Sequence, residues 1–103
     1  MSISSKIEQT IIALNPLSFS IYKAHNFYEI PECDEYIGGL VFTSFGKNHK
    51  GNVLIFLNSF GQFTVLFMSK DGVPVKEFED IHKSNLIDTL NYIIHKPIDY
   101  GFK

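Results

Sequence analysis

The stretch from Asn52 to Ser69, NVLIFLNSFGQFTVLFMS, decides the fold. It holds two apolar runs, Asn52 to Leu57 and Phe63 to Ser69, parted by a turn around Ser59-Phe60-Gly61. Runs this short, rich in Val, Ile and Phe and bounded by Asn, Ser and Gly, read as strands rather than helices. Side chains alternate along a strand. Val53, Ile55 and Leu57 therefore point one way and Leu54 and Phe56 the other, while Phe63, Val65 and Phe67 oppose Leu66 and Met68. Both strands are apolar on both faces. A sheet with helices on one face only alternates apolar with polar residues, so this pattern predicts cover on the second face too. Within a monomer the available cover is an N-terminal strand, the C-terminal segment Ile98 to Phe102, or a sheet curled on itself.

Working outward, Gly39 to Phe45 reads as a preceding strand, ended by the polar turn Gly46-Lys-Asn-His-Lys-Gly51. After Ser69, Asp71-Gly72 is the dipeptide favoured in type I′ hairpins, leading into a strand from Val73 to Phe78. Pro74 cannot donate to a ladder, which places that strand at an edge. Near the start, Ser5-Lys6-Ile7-Glu8 has the form of a capping box, and Ile7, Ile11 and Leu14 follow at helical spacing, predicting a helix from about Ser5 to Asn15, before Pro16. Leu17, Phe19 and Ile21 alternate with Ser18, Ser20 and Tyr22 and read as a half-buried strand. His25 to Tyr36, with Pro31 and dense charge, reads as a loop or irregular edge. A final helix is expected from Asp80 or Ser84 to His95. Its stripe is Leu86, Ile87, Leu90, Ile93 and Ile94, with His95 and Lys96 at its negative end before Pro97. The fold class is α+β: an antiparallel sheet of four to five strands with an N-terminal and a C-terminal helix packed on it. At 103 residues the chain, 1–103, is expected to be a single domain.

Composition narrows the function. The 45% apolar and 19% charged residues are those of a globular domain, not a disordered chain. Net charge is −2, and all nine basic residues are Lys. Arg is the residue that forks onto phosphate and guanine, so nucleic acid is not an expected partner. The strand order also differs from that of an RNA-stacking sheet, and its basic and aromatic signature is missing. The N-terminus lacks a basic cluster followed by an apolar stretch, and no apolar run nears the ~20 residues that span a bilayer, so neither a signal peptide nor a membrane is expected. The lone Cys33 fits a reducing setting, and the expected localisation is cytoplasmic.

No local motif carries chemistry. Cys33 lies among Glu32, Asp34 and Glu35, whose charge opposes a thiolate. His25, His49, His82 and His95 show no metal-ligand spacing, and His49 stands in a Lys-flanked turn. Gly46 to Gly51 has the glycine spacing of a phosphate loop, but Asn52-Val53 replaces its Lys-Ser/Thr and a strand, not a helix, follows. The acidic stretch lacks the ligand ladder of a calcium loop. No enzyme activity, cofactor or metal is therefore expected, with a non-local His/Glu pair the one enzymatic option left open.

Charge placement is the informative feature. Glu29, Glu32, Asp34 and Glu35 fall within Glu29-Ile-Pro-Glu-Cys-Asp-Glu-Tyr36, which contains no Lys. Glu77, Glu79 and Asp80 form a second knot, which would suit the N-terminus of the last helix. The first stretch reads as a solvated loop or, more sharply, as an acidic docking loop with Tyr28 and Tyr36 as anchors, facing a basic protein. The candidate partner-binding residues are thus Tyr28, Glu29, Glu32, Asp34, Glu35, Tyr36, Glu77, Glu79 and Asp80.

Small size, one cysteine, residue types drawn from AT-rich codons, no catalytic motif and a concentrated acidic loop resemble the small cytosolic immunity proteins of bacterial contact-dependent growth inhibition systems. That resemblance implies a binding protein that covers the active site of one cognate toxin domain, in many cases a basic nuclease cleft, with acidic residues. With two helices and the segment Ile98 to Phe102 available to cover the sheet, a monomer binding the toxin 1:1 is expected. The alternative is a small phage or bacterial regulatory domain that homodimerises through an apolar sheet face.

Overall fold

The computed structural model describes residues 2–45 and 49–94. Among them, α1 (Ile3–Leu14) and α2 (Ser18–Tyr22) lead into five strands, β1 (His25–Ile30), β2 (Tyr36–Phe45), β3 (Lys50–Asn58), β4 (Phe63–Ser69) and β5 (Pro74–Ile81). A 3-10 turn, Lys83–Asn85, then opens α3 (Leu86–Ile94). The strands form one antiparallel meander in the order β1-β2-β3-β4-β5. The expected α+β class holds, with both long helices on one face of the sheet.

That face is the core. Leu40, Phe42, Val53, Ile55, Leu57, Phe63, Val65 and Phe67 meet Ile7 and Ile11 of α1 and Leu86, Leu90 and Ile94 of α3, all of them buried. Burying each such side chain contributes about 1.5–3 kcal/mol. Rings extend the packing: Phe19 and Phe27 lie 5.5 and 5.7 Å from Phe42, and Phe67 meets Phe78 edge-on at 6.2 Å.

Several local expectations are corrected. The cap of α1 is Ser2, whose Oγ accepts from the Ser5 amide at 3.1 Å, so Ser5-Lys6-Ile7-Glu8 is not the capping box. Residues 18–22 are helix rather than strand. Asn15 Oδ1 accepts from the Leu17 amide and turns the chain, and Ser18 and Tyr22, one helical turn apart, are the residues that bury. Lys23 closes α2 in the left-handed region at φ 53°. Tyr22 donates its hydroxyl to Asn91 Oδ1 on α3, and burial pushes its pKa up to about 12. Of the two readings of His25 to Tyr36, the irregular edge holds for His25 to Ile30, an edge strand exposed along most of its length and bulged between His25 and Tyr28. The Asp71-Gly72 turn is not type I′, because Gly72 alone takes a positive φ, 83°. The Ser69 carbonyl accepts from Gly72 and the Ser69 amide donates to Val73, making a type I turn followed by a left-handed glycine. The turn expected after Phe45 agrees with the pairing on either side of it, Phe45↔Lys50, while residues 46–48 lie outside the described residues. His95, Lys96 and Ile98 to Phe102 lie outside the described residues. The N-terminal segment, being helical, is not a strand over the second sheet face.

His49, read above as a charge-flanked turn residue, is buried with its ring edge-on to Phe67 at 5.5 Å. Burial lowers its pKa below the ordinary 6.5, offset in part by the backbone of Asn52 and Met68. The unfolded ring titrates near about 6.5, so it takes up protons there that the folded ring refuses. The stability that comes from keeping the ring neutral is whole above that pH and is lost as pH falls through and below it. Between about pH 7.5 and about pH 5.5 the melting temperature of the wild type should drop more than that of His49→Gln, followed by circular dichroism. Equal drops would show that His49 contributes no such slope.

Candidate functional site

Three connections converge at one end of the sheet. Between β1 and β2, Cys33 and Tyr36 exchange backbone hydrogen bonds, leaving Asp34 and Glu35 as the two corner residues of a tight turn. Asp34 sits at φ 27°, a region that Asp tolerates better than most residues. Between β3 and β4, Asn58 Oδ1 accepts from the amides of Phe60 and Gln62, both at 2.9 Å, and Gly61 takes φ 82°. This turn holds Phe60 at its tip, 85% exposed.

The third piece is the end of β5. Phe63 pairs with Ile81 and Val65 with Phe78, so Glu79 and Asp80 together oppose Thr64. Two residues against one is a β-bulge, completed by Asp80 at φ 56°. Phe78 and Ile81 stay in the core while both carboxylates turn to the rim. The second acidic knot is therefore strand, not the start of a helix, and the acidic residue in the first turn of α3 is Asp88.

Together these turns enclose an open cleft of about 400 Å³. Asp34, Glu35, Glu79 and Asp80 line it, with Phe60 and Tyr36 among its aromatic residues and Asn58, Ser59 and Thr64 completing the wall. None of these lining residues is a lysine. Tyr36 is fixed: its ring stacks on Phe56 at 4.8 Å and its hydroxyl donates to Thr64 Oγ1 at 3.4 Å. Among the described residues no three His, Cys, Asp or Glu side chains are grouped as a metal site. The cleft can receive a cationic side chain flanked by an aromatic ring, a geometry in which both charge and ring face attract the cation.

The structure thus unites Asp34, Glu35, Tyr36, Glu79 and Asp80. It leaves the other candidates outside the cleft. Tyr28 is exposed on β1 opposite Val41, Glu29 lies opposite Leu40, Glu32 is exposed before the turn, and Glu77 stands opposite Leu66 in the middle of β5. Sequence reasoning missed Phe60. Its signal was a large aromatic in a turn between Asn58 and Gly61, where nothing in the strand pattern requires one. A second pocket of about 140 Å³, bordered by Lys6, Thr10 and Lys83, is smaller than the ~300 Å³ at which ligand sites begin. No helix among the described residues is long and apolar enough to cross a membrane. Comparisons with protein-family models, with curated proteins and with solved structures find no match to this chain.

Proposed function

We propose that this chain is a cytoplasmic immunity protein, a non-enzymatic inhibitor that covers the active site of a cognate bacterial toxin domain with its acidic end. The observation that carries the reading is the convergence of two acidic segments, far apart in sequence, on one lysine-free cleft with an exposed Phe60 at its lip. A nuclease cleft is built to hold phosphates with basic side chains. Four carboxylates at one end of the sheet offer such a cleft the charge that it expects, without a bond to cleave. Phe60 supplies the aromatic anchor that charge alone lacks.

The test is to sequence the neighbouring genes and co-express the chain with any toxin domain they encode; neighbours that encode no toxin would count against the reading. Wild-type protein should protect cells and form a 1:1 complex, and Phe60→Ala should weaken that complex at least about tenfold, as an anchor side chain does. Survival without any complex, or a complex indifferent to both Phe60 and the cleft carboxylates, would overturn the reading.

A further inference from the structure

The sheet face turned away from the helices has no described element packed over it. The row Tyr28, Val41, Leu54, Leu66, Glu77 runs across it, each residue the register partner of the next. Phe56 and Met68 flank that row, and with Val41, Leu54 and Leu66 they stay half-exposed and outside the core cluster. A sheet built to meet water on this side would carry polar residues there. This one carries an apolar stripe through Val41, Leu54 and Leu66, bordered by the hydrogen-bonded pair Thr43 and Asn52 on one side and by Thr64 on the other.

The meander gives the stripe two ends of opposite sign. Asp34, Glu35, Glu79 and Asp80 stand at one end. At the other, Lys50 opens β3 with its ammonium over the Phe45 ring at 4.9 Å, and Lys70 sits in the turn after β4, beside the single acid Asp71. Two copies stacked face to face are related by a twofold axis that runs either along the strands or across them. Along the strands, carboxylates meet carboxylates. Across them, the acidic end of each copy meets the lysine end of the other, twice.

We propose that a second copy of this chain covers the open face, with the strands of the two sheets running in opposite directions. Leu54 and Leu66 lie at the centre of this contact, and Lys50 and Lys70 of each copy lie against the carboxylate end of the other. With strands ~4.8 Å apart and ~3.4 Å per residue, the stripe is roughly 20 by 14 Å, on the order of 300 Å² per copy. That is below the ~800 Å² of a standard interface, so the dimer is a reversible, salt-sensitive one. This inference needs no toxin and stands apart from the inhibitory reading. A basic partner and a second copy compete for the same carboxylates.

The experiment is sedimentation equilibrium of the full chain, from low micromolar to submillimolar concentration, at low and high salt. The average mass should climb from 11.8 kDa towards twice that value, less steeply at high salt. Leu54→Asp and Leu66→Asp should hold it at the monomer mass, with circular dichroism reporting that they fold. A surface-only pair of variants keeps the test open if they do not. Lys50→Glu with Lys70→Glu in one copy, and Glu35→Lys with Glu79→Lys in another, should each self-associate at least about tenfold more weakly, since the acidic end meets like charge in the first and carries no net charge in the second. Mixed together, the two should associate more tightly than either does alone, since one of the two contacts again sets four carboxylates against two lysines. A full chain that stays monomeric overturns the proposal, as does a dimer indifferent to Leu54→Asp. A mixture without rescue overturns the antiparallel arrangement. A monomer that dimerises only after removal of residues 97–103 would assign the cover to the chain's own C-terminal segment instead.

Discussion

Phe42→Ala should lower the melting temperature by about 15–25 °C, whereas Leu54→Ala should lower it by no more than about 5 °C. Phe42 is fully buried and its ring meets Phe19 of α2 and Phe27 of β1, so its removal leaves a cavity where three elements join. Phe→Ala in a core costs about 3–5 kcal/mol, a large share of the ~5–15 kcal/mol that holds a domain of this size. Each kcal/mol corresponds to about 4–8 °C in a domain of about this length. Leu54 belongs to the same sheet but to its open face, where it stays half-exposed and leaves no closed cavity when truncated. Scanning calorimetry of the two variants under dilute, monomeric conditions checks the contrast. Similar losses would mean that both faces are core, and the single-layer packing of helices on the sheet would be wrong.

Two apolar faces were legible in the sequence because strand alternation is local, but not that one is core and the other half-exposed. Val53, Ile55 and Leu57 against Leu54 and Phe56 announce two apolar faces whatever the rest of the chain does. The edge position of the last strand followed from Pro74. Residues 17–22 were misread for a physical reason. Over five or six residues, positions i, i+2 and i, i+4 overlap, and what decides between them is the buried Tyr22 reaching Asn91 on α3, a contact that spans most of the chain. The end of β5 was misread differently. Glu77, Glu79 and Asp80 have the composition of a helix N-terminus, but Phe78 and Ile81 hold the strand to Val65 and Phe63, and a bulge absorbs the extra residue. The acids of each segment were visible at once. Their meeting in one cleft depends on the register of five strands, which no local pattern encodes.

That meeting gives the second large expected effect. Replacing Asp34 by Asn and both Glu35 and Glu79 by Lys turns the carboxylate lining from net −4 to net +1. Asn is chosen at residue 34 because φ 27° suits Asn as it does Asp, whereas a lysine there would add backbone strain to the charge change. The other two positions are exposed, so the fold should lose no more than about 0.5 kcal/mol for each. Association with a basic toxin domain should behave quite differently. Four clustered carboxylates accelerate encounter by roughly 10- to 1000-fold at low ionic strength. Exposed charges are screened beyond about 8 Å at 0.15 M and beyond about 3 Å at 1 M. Stopped-flow association rates should therefore fall steeply with salt for the wild type and stay slow and nearly flat for the triple variant, the two curves closing together at high salt. Protection of cells should fail in parallel with the rate. A wild-type rate indifferent to salt would place the toxin contact away from the acidic end. Equal rates for both proteins at low salt would show that the carboxylates are solvated charge with no part in recognition.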